Sequence, residues 1–424
     1  MRHAPIRCPS RDQELLDNRV VMNSALNFLV AARQCEISEL ETLALTSELV
    51  GVIGRLVHAL QRERGISNVY LASRGARFGD ALHQQVAECE AVQAQVLTRL
   101  EALDTDSRRV RNGARLFSRI AFVLHALEGL PALRLRVASQ SVAAEEATAA
   151  ITRLIAGLLN VVFEAADSAT DPKISRALVA LFHFLQGKEY AGQERAFGGA
   201  AYASGQIDAA HRQQWQHLIE AQEACLQVFT DFSDEAVRSA WQAGQPVEAV
   251  ATLERMRRMA SASAGSTLDP NASAAWYEAC TQRIDAMKRF EDQLAANLRL
   301  LCDERIAQAH ADLRDQQAIL DALQRQAGEA GNEPPALLGP HLERSILGMV
   351  QEQSRRLQVM SDELETTRAA LNERKVIERA KGLLMASRKL SEDEAYKMLR
   401  QTAMNQGRRL VDVAKTVLAM SDYL

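Results

Sequence analysis

Apolar residues between positions 11 and about 325 recur every three or four residues, which is the period of an amphipathic α-helix. No stretch of useful length alternates apolar and polar residues as a β-strand does. Two segments, 12–72 and 272–326, contain no strong turn signal and predict long bundle helices. The predicted breaks are the clusters of turn residues at 73–80, 128–131, 167–172, 197–206, 242–246 and 261–271. The pattern predicts an all-α protein whose N-terminal part consists of one or more long helical bundles.

Several helix ends can be predicted from local chemistry. Asp171 can cap a helix whose first position is Pro172. Ser391 and Glu394 have the spacing of a capping box, and Gly407 is suited to end the helix that follows them. These signals predict one helix starting near 172 and another running from about 391 to 406.

The segment "GEAGNEPPALLGP", residues 328–340, contains three glycines and three prolines and predicts a linker. It separates residues 1–327 from a C-terminal unit, 341–424, in which one long helix and two short helices are predicted.

The long helix of the C-terminal unit has an apolar seam. Val350, Leu357, Leu364 and Leu371 recur every seven residues, which is the spacing of one seam position of a coiled coil. The companion seam position is poorer, since Met360 fits it but Gln353 and Thr367 do not. Two interpretations stay open at this point: a coiled coil that makes the protein a homodimer, and a single helix packed on its own domain.

Composition and charge indicate the cellular compartment and the kind of partner that the protein meets. The six cysteines are scattered, which argues against disulfides or a zinc site and favours a reducing cytoplasm. The most apolar run, 154–163, is about half the ~20 residues that a bilayer span needs, so no membrane segment is predicted. From position 341 the chain has 15 Lys plus Arg against 12 Asp plus Glu, whereas the rest has 35 against 42. A basic tail on an acidic body indicates that only the tail meets a polyanion.

One arginine occurs in an apolar helical stripe. At 100° per residue, Leu56, Ile53 and Arg64 all fall within about 40° of Leu60, whereas Arg62 falls on the opposite side. A buried guanidinium without a partner costs several kcal/mol. Either an internal carboxylate or a bound anion must therefore compensate Arg64, and both possibilities stay open.

The same feature recurs later in the chain. Arg257 lies on the face that Leu253 and Met256 define, whereas Arg258 points away from it, and Arg195 sits at the edge of another stripe beside Lys188. A guanidinium is a flat fork suited to a small flat oxyanion such as nitrate, nitrite, carboxylate or bicarbonate. We hypothesise that these arginines converge on one internal anion site, and that without an anion their repulsion loosens the bundle.

The tail contains a basic helix face, and no catalytic constellation accompanies it. Arg408 and Arg409 follow the second of the three predicted tail helices, and both a solvated helix face and contact with nucleic-acid phosphates fit the pattern. The histidines lack metal-binding spacing, no phosphate loop follows a strand, and no nucleophile has a recognisable base. The sequence therefore predicts neither an enzyme nor a metal or cofactor site. The cations opposite the apolar face of the first tail helix are Arg374, Lys375, Arg379 and Lys381.

Two stretches resemble known families. Residues 376–418, with "AKGLLM", "EAYKMLR" and "RRLVDVA", resemble the ANTAR domain, a three-helix RNA-binding unit of bacterial antiterminators. "ALQRERGISNVYLAS" and "GKEYAGQERAFG" resemble the nitrate- and nitrite-sensing (NIT) domain, an all-helical ligand-binding module, over roughly 45–300. In this order the two modules are similar to the nitrate-responsive antitermination regulators of nitrate-assimilation operons.

The resemblance implies a function and site residues. Nitrate or nitrite would bind Arg64, Arg195 and one of Arg257 and Arg258, and no cofactor is implied. The ANTAR unit would bind leader mRNA hairpins as a homodimer through the tail cations, and would act on the elongation complex indirectly. The resemblance leaves open the preference between nitrate and nitrite and the target operon. The alternatives are an antiterminator that responds to another small anion or a protein partner, and a helical dimerisation scaffold.

Overall fold

The computed structural model describes residues 11–103, 114–262, 267–329, 340–388, 390 and 392–421. This part of the chain forms α-helices and no β-strand, so the predicted all-α class is confirmed. A short 3₁₀ turn covers Pro270–Ala272, and an isolated bridge pairs Gln206 with Thr267. The helices are α1 (Arg11–Ala72), α2 (Gly79–Glu101), α3 (Ala114–Glu128), α4 (Leu130–Ala138), α5 (Ala144–Ser168), α6 (Pro172–Ser204), α7 (Ala209–Phe232), α8 (Glu235–Ala243), α9 (Val247–Ala262), α10 (Ser273–Glu329), α11 (Pro340–Arg388), α12 (Glu392–Gln406) and α13 (Leu410–Ser421).

The helix ends agree with the local signals in most places. The Asp171 carboxylate accepts hydrogen bonds from the backbone amides of Lys173 and Ile174, both at 3.0 Å, and so caps α6 as predicted. Gly407 has φ of 58° directly after α12, which confirms the predicted stop. Ser391 of the predicted capping box lies outside the described residues, as do residues 330–339 of the predicted linker.

The predicted break at 197–206 begins too early, because α6 continues to Ser204. The cause is the packing of Trp276 against Gly198, where a Cβ atom would come within 2.4 Å of the indole ring. Gly198 therefore serves as a contact surface inside the helix and not as a turn residue. The left-handed residue that ends α6 is Gly205, with φ of 67°.

Two apolar cores share the helices α6 and α10. The main core takes residues from α1, α2, α3, α5, α6 and α10, and includes the fully buried stripe residues Leu49, Leu56 and Leu60. A second core lies where α6 meets α7, α9 and the start of α10, around Trp215 and Trp276. One side of α6 therefore faces the α1 bundle, and another faces α7 and α9.

The tail has its own small core but also packs on the body. Residues of α11, α12 and α13, among them Leu399 and Val413, form a third apolar cluster. In the predicted seam, Leu371 is fully buried in the main core and Leu357 is 54% exposed. Thr367, which fits a coiled coil poorly, is also buried. The C-terminal half of α11 thus packs within the chain, as the second interpretation has it, but against the main core of the body and not only on its own domain. A homodimer stays a prediction. The Val350 side chain lies outside the described part.

Three helical segments are long and apolar enough to cross a membrane by length and composition: Asn27–Ala72, Ala114–Ala138 and Ala144–Ser168. No membrane segment was predicted from the sequence, because the uninterrupted apolar run at 154–163 is short. In the first and third segments, 67% of the most apolar window is buried inside the fold, against 28% in the second. The apolar residues of α1 and α5 thus form the protein's own core.

Candidate functional site

Arg64 is buried, as its place in the apolar stripe predicted, and Arg62 is exposed. The Arg64 guanidinium donates to both oxygens of Glu189 on α6, at 2.6 Å and 3.3 Å, and to the Thr152 hydroxyl at 2.9 Å. Gly192 makes room for this contact, since a Cβ atom there would lie 3.4 Å from Arg64 Nη2. The partner of Arg64 is therefore an internal carboxylate. The hypothesis that the inward arginines stay unpaired without an anion is wrong for this residue.

Arg257, the second arginine on an apolar helix face, is also bound by internal carboxylates. Arg257 Nε and Nη2 donate to the two oxygens of Glu194, at 2.7 Å and 2.5 Å, and Nη1 donates to Glu254 at 2.6 Å. Arg257 is buried, whereas Arg258 is exposed, and both positions agree with the helical wheel. The internal carboxylate is thus the partner here too, and here too the hypothesis of unpaired arginines is wrong.

Two more side chains donate hydrogen bonds to the Glu194 carboxylate. The Trp215 indole N–H donates to Oε1 at 3.1 Å, and the Gln222 amide donates to Oε2 at 2.6 Å. Burial alone would raise the pKa of Glu194, but the hydrogen bonds and charge of Arg257, with these two donors, lower it overall. Glu194 is therefore a buried anion in a shell of directed N–H groups.

Arg195 has a different environment. Its Nη1 donates to the Thr281 hydroxyl at 3.1 Å, and its guanidinium lies 4.9 Å from the centroid of the Tyr277 ring. Gly65 of α1 lies beside it, since a Cβ atom there would be 3.8 Å from Nη2. Among the described residues, Arg195 has no carboxylate partner.

The arginines do not converge on one site. Glu189 and Glu194 lie five residues apart on α6, which places them about 140° apart around the helix axis. Arg64 therefore binds the face of α6 toward α1 and α5, and Arg257 binds the face toward α7 and α9. Arg64 and Arg257 therefore have separate carboxylate partners on different faces of α6, which contradicts the hypothesis that these two arginines converge on one site.

A buried charge network lies between α1, α6 and α10. Lys188 is fully buried and pairs with Glu291, which also accepts from Lys288 at 2.9 Å. Burial lowers the pKa of Lys188, with Glu291 opposing the shift. His58 lies in the field of these lysines and of Arg195, and burial together with the nearby cations lowers its pKa to about 2. His58 is therefore neutral in the folded protein.

This neutral histidine predicts a pH dependence of stability. Below the ordinary histidine pKa of about 6.5, the unfolded chain takes up a proton at His58 and the folded chain does not. The free energy of unfolding should then fall with decreasing pH, by up to ~1.4 kcal/mol per pH unit from this group. Urea unfolding at pH 7, 6 and 5 should give a shallower decline for His58→Gln than for the unmodified chain. The exposed His83, replaced by Gln, is the control and should keep the full decline. Equal declines in the two variants would contradict the assignment.

The tail cations that the sequence analysis selected differ in exposure. Arg379, Arg408 and Arg409 are exposed, and Arg409 binds Asp412 and Glu373 of its own unit. Arg374 has a side chain outside the described part. Lys381 was predicted on the exposed side of its helix but is buried, with its ammonium 5.8 Å from the centroid of the Tyr396 ring. That placement was wrong, because the ring of α12 covers this part of α11.

Lys375 is held by the body of the protein. Its Nζ lies 2.5 Å from Asp167 Oδ2 at the end of α5. On the next tail helix, Arg400 Nη2 donates to Glu220 of α7 at 2.5 Å, and the Tyr396 ring lies 4.7 Å from the His217 ring, centroid to centroid. The tail therefore contacts the body through Lys375, which was selected for RNA, and through Tyr396 and Arg400, which were not.

Sequence reasoning missed the acidic partners. Glu189 and Glu194 lie in "GKEYAGQERAFG", the segment that carries one of the resemblances, yet only its arginine was selected. A buried arginine needs a carboxylate, and two glutamates on one apolar helix were the available signal. Gln222, Tyr396 and Arg400 carried no such signal.

Comparisons with known proteins agree with this architecture. Residues 55–299 match the family model described as "Nitrate and nitrite sensing", and residues 365–418 match the model of the ANTAR domain. The chain is 34% identical over 408 residues to the nitrate regulatory protein of Klebsiella oxytoca, covering 93% of this chain and 95% of that protein. It is similar to the solved structure of the NasR transcription antiterminator, with 31% identity, a TM-score of 0.58, and coverage of 95% of this chain and 100% of that one. These matches, together with the helical body and the three-helix tail, show that the chain belongs to the nitrate- and nitrite-sensing (NIT) family of regulators that carry a C-terminal ANTAR domain.

Proposed function

We propose that this chain is a nitrate- or nitrite-responsive transcription antitermination regulator. Its helical sensor controls whether the ANTAR unit can bind hairpins of a leader mRNA, and so whether RNA polymerase reads past a terminator upstream of nitrate-assimilation genes. The observation that carries the proposal is the docking of the tail on the sensor through Lys375, Tyr396 and Arg400.

The docked surface and an RNA-bound surface exclude each other. Lys375 and Arg400 contact Asp167 and Glu220 of the sensor, and an RNA phosphate would need the same cations. Acidic side chains of the body thus occupy positions that the polyanion would take. The chain has a closed state, with the tail docked, and an open state that can bind RNA.

Further up the long helix, more contacts hold the tail. Arg356 of α11 donates to Asp312 of α10 at 3.0 Å and to Glu36 of α1 at 2.7 Å. Arg368 donates to the Ala169 carbonyl, between α5 and α6, at 3.4 Å. These contacts hold much of the length of α11 against the sensor. A rearrangement of the sensor helices therefore changes the surface on which the tail packs.

The anion acts by differential affinity. A ligand shifts a two-state equilibrium only by as much as it binds one state better than the other. Helix α6 begins at Pro172, five residues after Asp167, which holds Lys375 of the tail. The same helix carries Glu189 and Glu194, which pair with Arg64 and Arg257. An anion that takes the place of one of these carboxylates breaks a contact of α6, and this change favours the open state.

The ligand and RNA roles of single residues are part of the proposal. Arg64 and Arg257 each donate to both oxygens of a carboxylate, which is the donor geometry for a flat oxyanion, while Arg195 and Arg258 rest on the family resemblance. Arg379, Arg408 and Arg409 are exposed in the closed state and are suited to the first contact with RNA phosphates. Paired hairpins in the leader would suit a homodimer. The proteins it resembles are regulators of transcription, so the chain acts in the cytoplasm without a resident cofactor.

The test is transcription in vitro on a template with a leader terminator. We expect nitrate or nitrite to raise read-through in the presence of the protein, and chloride at equal ionic strength to have no such effect. A mobility shift with the leader RNA should weaken steeply with salt. Salt-sensitive RNA binding without any effect of nitrate or nitrite would favour a different anion or a protein partner as the signal. The absence of RNA binding would favour the dimerisation scaffold.

A further inference from the structure

The geometry points to a second RNA contact, on the sensor itself: we infer that the exposed arginines of α9, Arg255 and Arg258, bind phosphates of the leader RNA beside the place where the ANTAR unit docks. This inference rests on the proposed function, since the RNA is the one that the released ANTAR unit holds. The surface belongs to the acidic body, for which no polyanion was predicted from the sequence.

The first argument is uncompensated positive charge on α9. Three of four consecutive residues of this helix are arginines, Arg255, Arg257 and Arg258. Arg257 faces inward and pairs with the carboxylates of Glu194 and Glu254. Arg255 and Arg258 are exposed, and neither lies within ion-pair distance of a carboxylate in the described part of the chain. Because Arg257 binds the acidic neighbour on the helix, two guanidinium groups face the solvent with their charge uncompensated.

The second argument is the shape of the surface around these arginines. Arg255 and Arg258 line an open depression of about 380 Å³ on α9. A groove of about 230 Å³ between α7 and α9 lies next to it, because the last turn of α9 lines both. The wall of the groove on α7 includes Arg212, Gln213 and Gln216. Arginine and glutamine side chains are donors to phosphates and sugar hydroxyls, so this surface suits an RNA backbone.

The residue types favour RNA over a protein as the occupant. Protein interfaces are anchored by large apolar or aromatic side chains that fill pockets. Among the described residues that line the depression and the groove, the only large apolar side chain that is exposed is Met259, at 51%. Trp215 is buried, and its N–H donates to Glu194. The surface therefore offers cations and hydrogen-bonding groups, which are what a polyanion needs.

The third argument is the position of the groove next to the docked tail. Gln216 in its wall donates to Glu220 at 3.2 Å, and Glu220 is the residue that binds Arg400 of the ANTAR unit. His217, which contacts Tyr396, is the next residue on α7. A phosphate in the groove competes with Glu220 for the Arg400 guanidinium. RNA on this surface therefore favours the open state.

The two RNA contacts belong to one chain, which makes a weak contact on the sensor effective. RNA held by the released tail is presented to α9 at a high effective concentration, of the order of mM for short flexible links. Phosphates are the same along the whole RNA, so this contact adds affinity and leaves sequence recognition to the ANTAR unit. Of the pair Arg257 and Arg258, the first is thereby left to the ligand and the second is assigned to RNA.

The test is a titration of the leader RNA with the full chain at saturating nitrate and several salt concentrations. Arg255→Gln with Arg258→Gln should lower the affinity about tenfold and lower the slope of log K against log salt by about 1.5, since each phosphate contact contributes ~0.7–0.9 to that slope. Arg255→Gln alone, which changes no candidate for the nitrate site, should lower the slope by about half as much. Arg255→Lys with Arg258→Lys keeps both charges and should keep most of the slope.

The control removes the same charge elsewhere on the sensor. Arg115→Gln with Arg153→Gln changes exposed positions on α3 and α5, helices that do not line the groove, and should leave the slope unchanged. A defect in folding or in the nitrate response lowers the affinity alike at every salt concentration, whereas lost phosphate contacts lower the slope. The slope is therefore the deciding quantity.

Photocrosslinking gives an independent measurement on the unmodified chain. Thiouridine-substituted leader RNA, irradiated with the protein and nitrate, should crosslink to peptides of α7 and α9 as well as to the tail. Crosslinks confined to the tail, with equal slopes in the Arg255→Gln, Arg258→Gln chain and its control, would overturn the second contact and leave the proposed function standing. No binding of the leader RNA by the unmodified chain at any nitrate concentration would overturn both.

Discussion

Arg64→Ala is expected to lower the free energy of unfolding by about 3–5 kcal/mol and to remove the response to nitrate. The loss of stability follows because the substitution leaves Glu189, which is 2% exposed, as a buried carboxylate without its cation. Its remaining donors are the amides of Gln61 and Gln193, at 2.7 Å and 2.8 Å, which are neutral. The response is lost because Arg64 fixes the position of α6, the helix that also carries Glu194. Urea unfolding and nitrate-dependent read-through measure the two effects.

A second substitution separates folding from signalling. The double variant Arg64→Ala with Glu189→Gln removes the stranded charge and should recover most of the stability, while the nitrate response stays absent. Arg62→Ala is the matched control on the same turn of α1. Arg62 and its partner Glu88 are both exposed, so this substitution should cost about 0–1 kcal/mol. A double variant that responds to nitrate like the unmodified chain would confine Arg64 to a structural role.

The helices could be predicted from the sequence because their signals are local. A stripe such as Leu49, Leu56 and Leu60 is visible within three turns, and the helix caps at Asp171 and Gly407 are visible within a few residues. The inward direction of Arg64 and Arg257 follows from the same periodicity. These predictions needed no knowledge of how the helices pack.

The partners of those arginines could not be predicted in that way. Glu189 lies 125 positions from Arg64 in the chain, and Glu194 lies 63 positions from Arg257, so no local pattern pairs them. The fully buried Lys188 is a similar case, since lysine is almost never fully buried unless it is paired, and its partner Glu291 comes from α10. A helical wheel assigns a direction to a residue but does not identify the neighbour that it meets.

The exposure of basic residues in the tail also depends on how whole helices pack, which a helical wheel does not show. A wheel drawn for α11 alone places Lys375 and Lys381 on a solvated face. In the folded chain, Asp167 of α5 binds the first, and Tyr396 of α12 covers the second. Which basic residues are available to RNA thus depends on tertiary docking, and docking is also the property that a regulator of this kind can change.

Reversing the charges that hold the tail is expected to make RNA binding independent of nitrate. In Asp167→Lys with Glu220→Lys, Lys375 and Arg400 face like charges in place of carboxylates, so the docked state is penalised. For a change of about 1–3 kcal/mol in the balance between the two states, the ratio of open to closed protein shifts about 5- to 150-fold. The leader RNA should then be shifted in a gel without nitrate, and added nitrate should increase binding only slightly.

Controls must separate release of the tail from added positive charge, because any extra cation strengthens the binding of nucleic acid. Glu128→Lys with Glu248→Lys alters the net charge by the same amount at exposed positions on α3 and α9, and should leave RNA binding dependent on nitrate. Exchanging the two charges of one pair in the otherwise unmodified chain, by Glu220→Lys with Arg400→Glu, keeps the attraction across the α7 contact. In this variant RNA binding should again depend on nitrate. If the charge-reversed chain still required nitrate to bind leader RNA, the contacts of Lys375 and Arg400 would not restrain the ANTAR unit, and control of the tail would have to come from α11 and the sensor helices that it packs against.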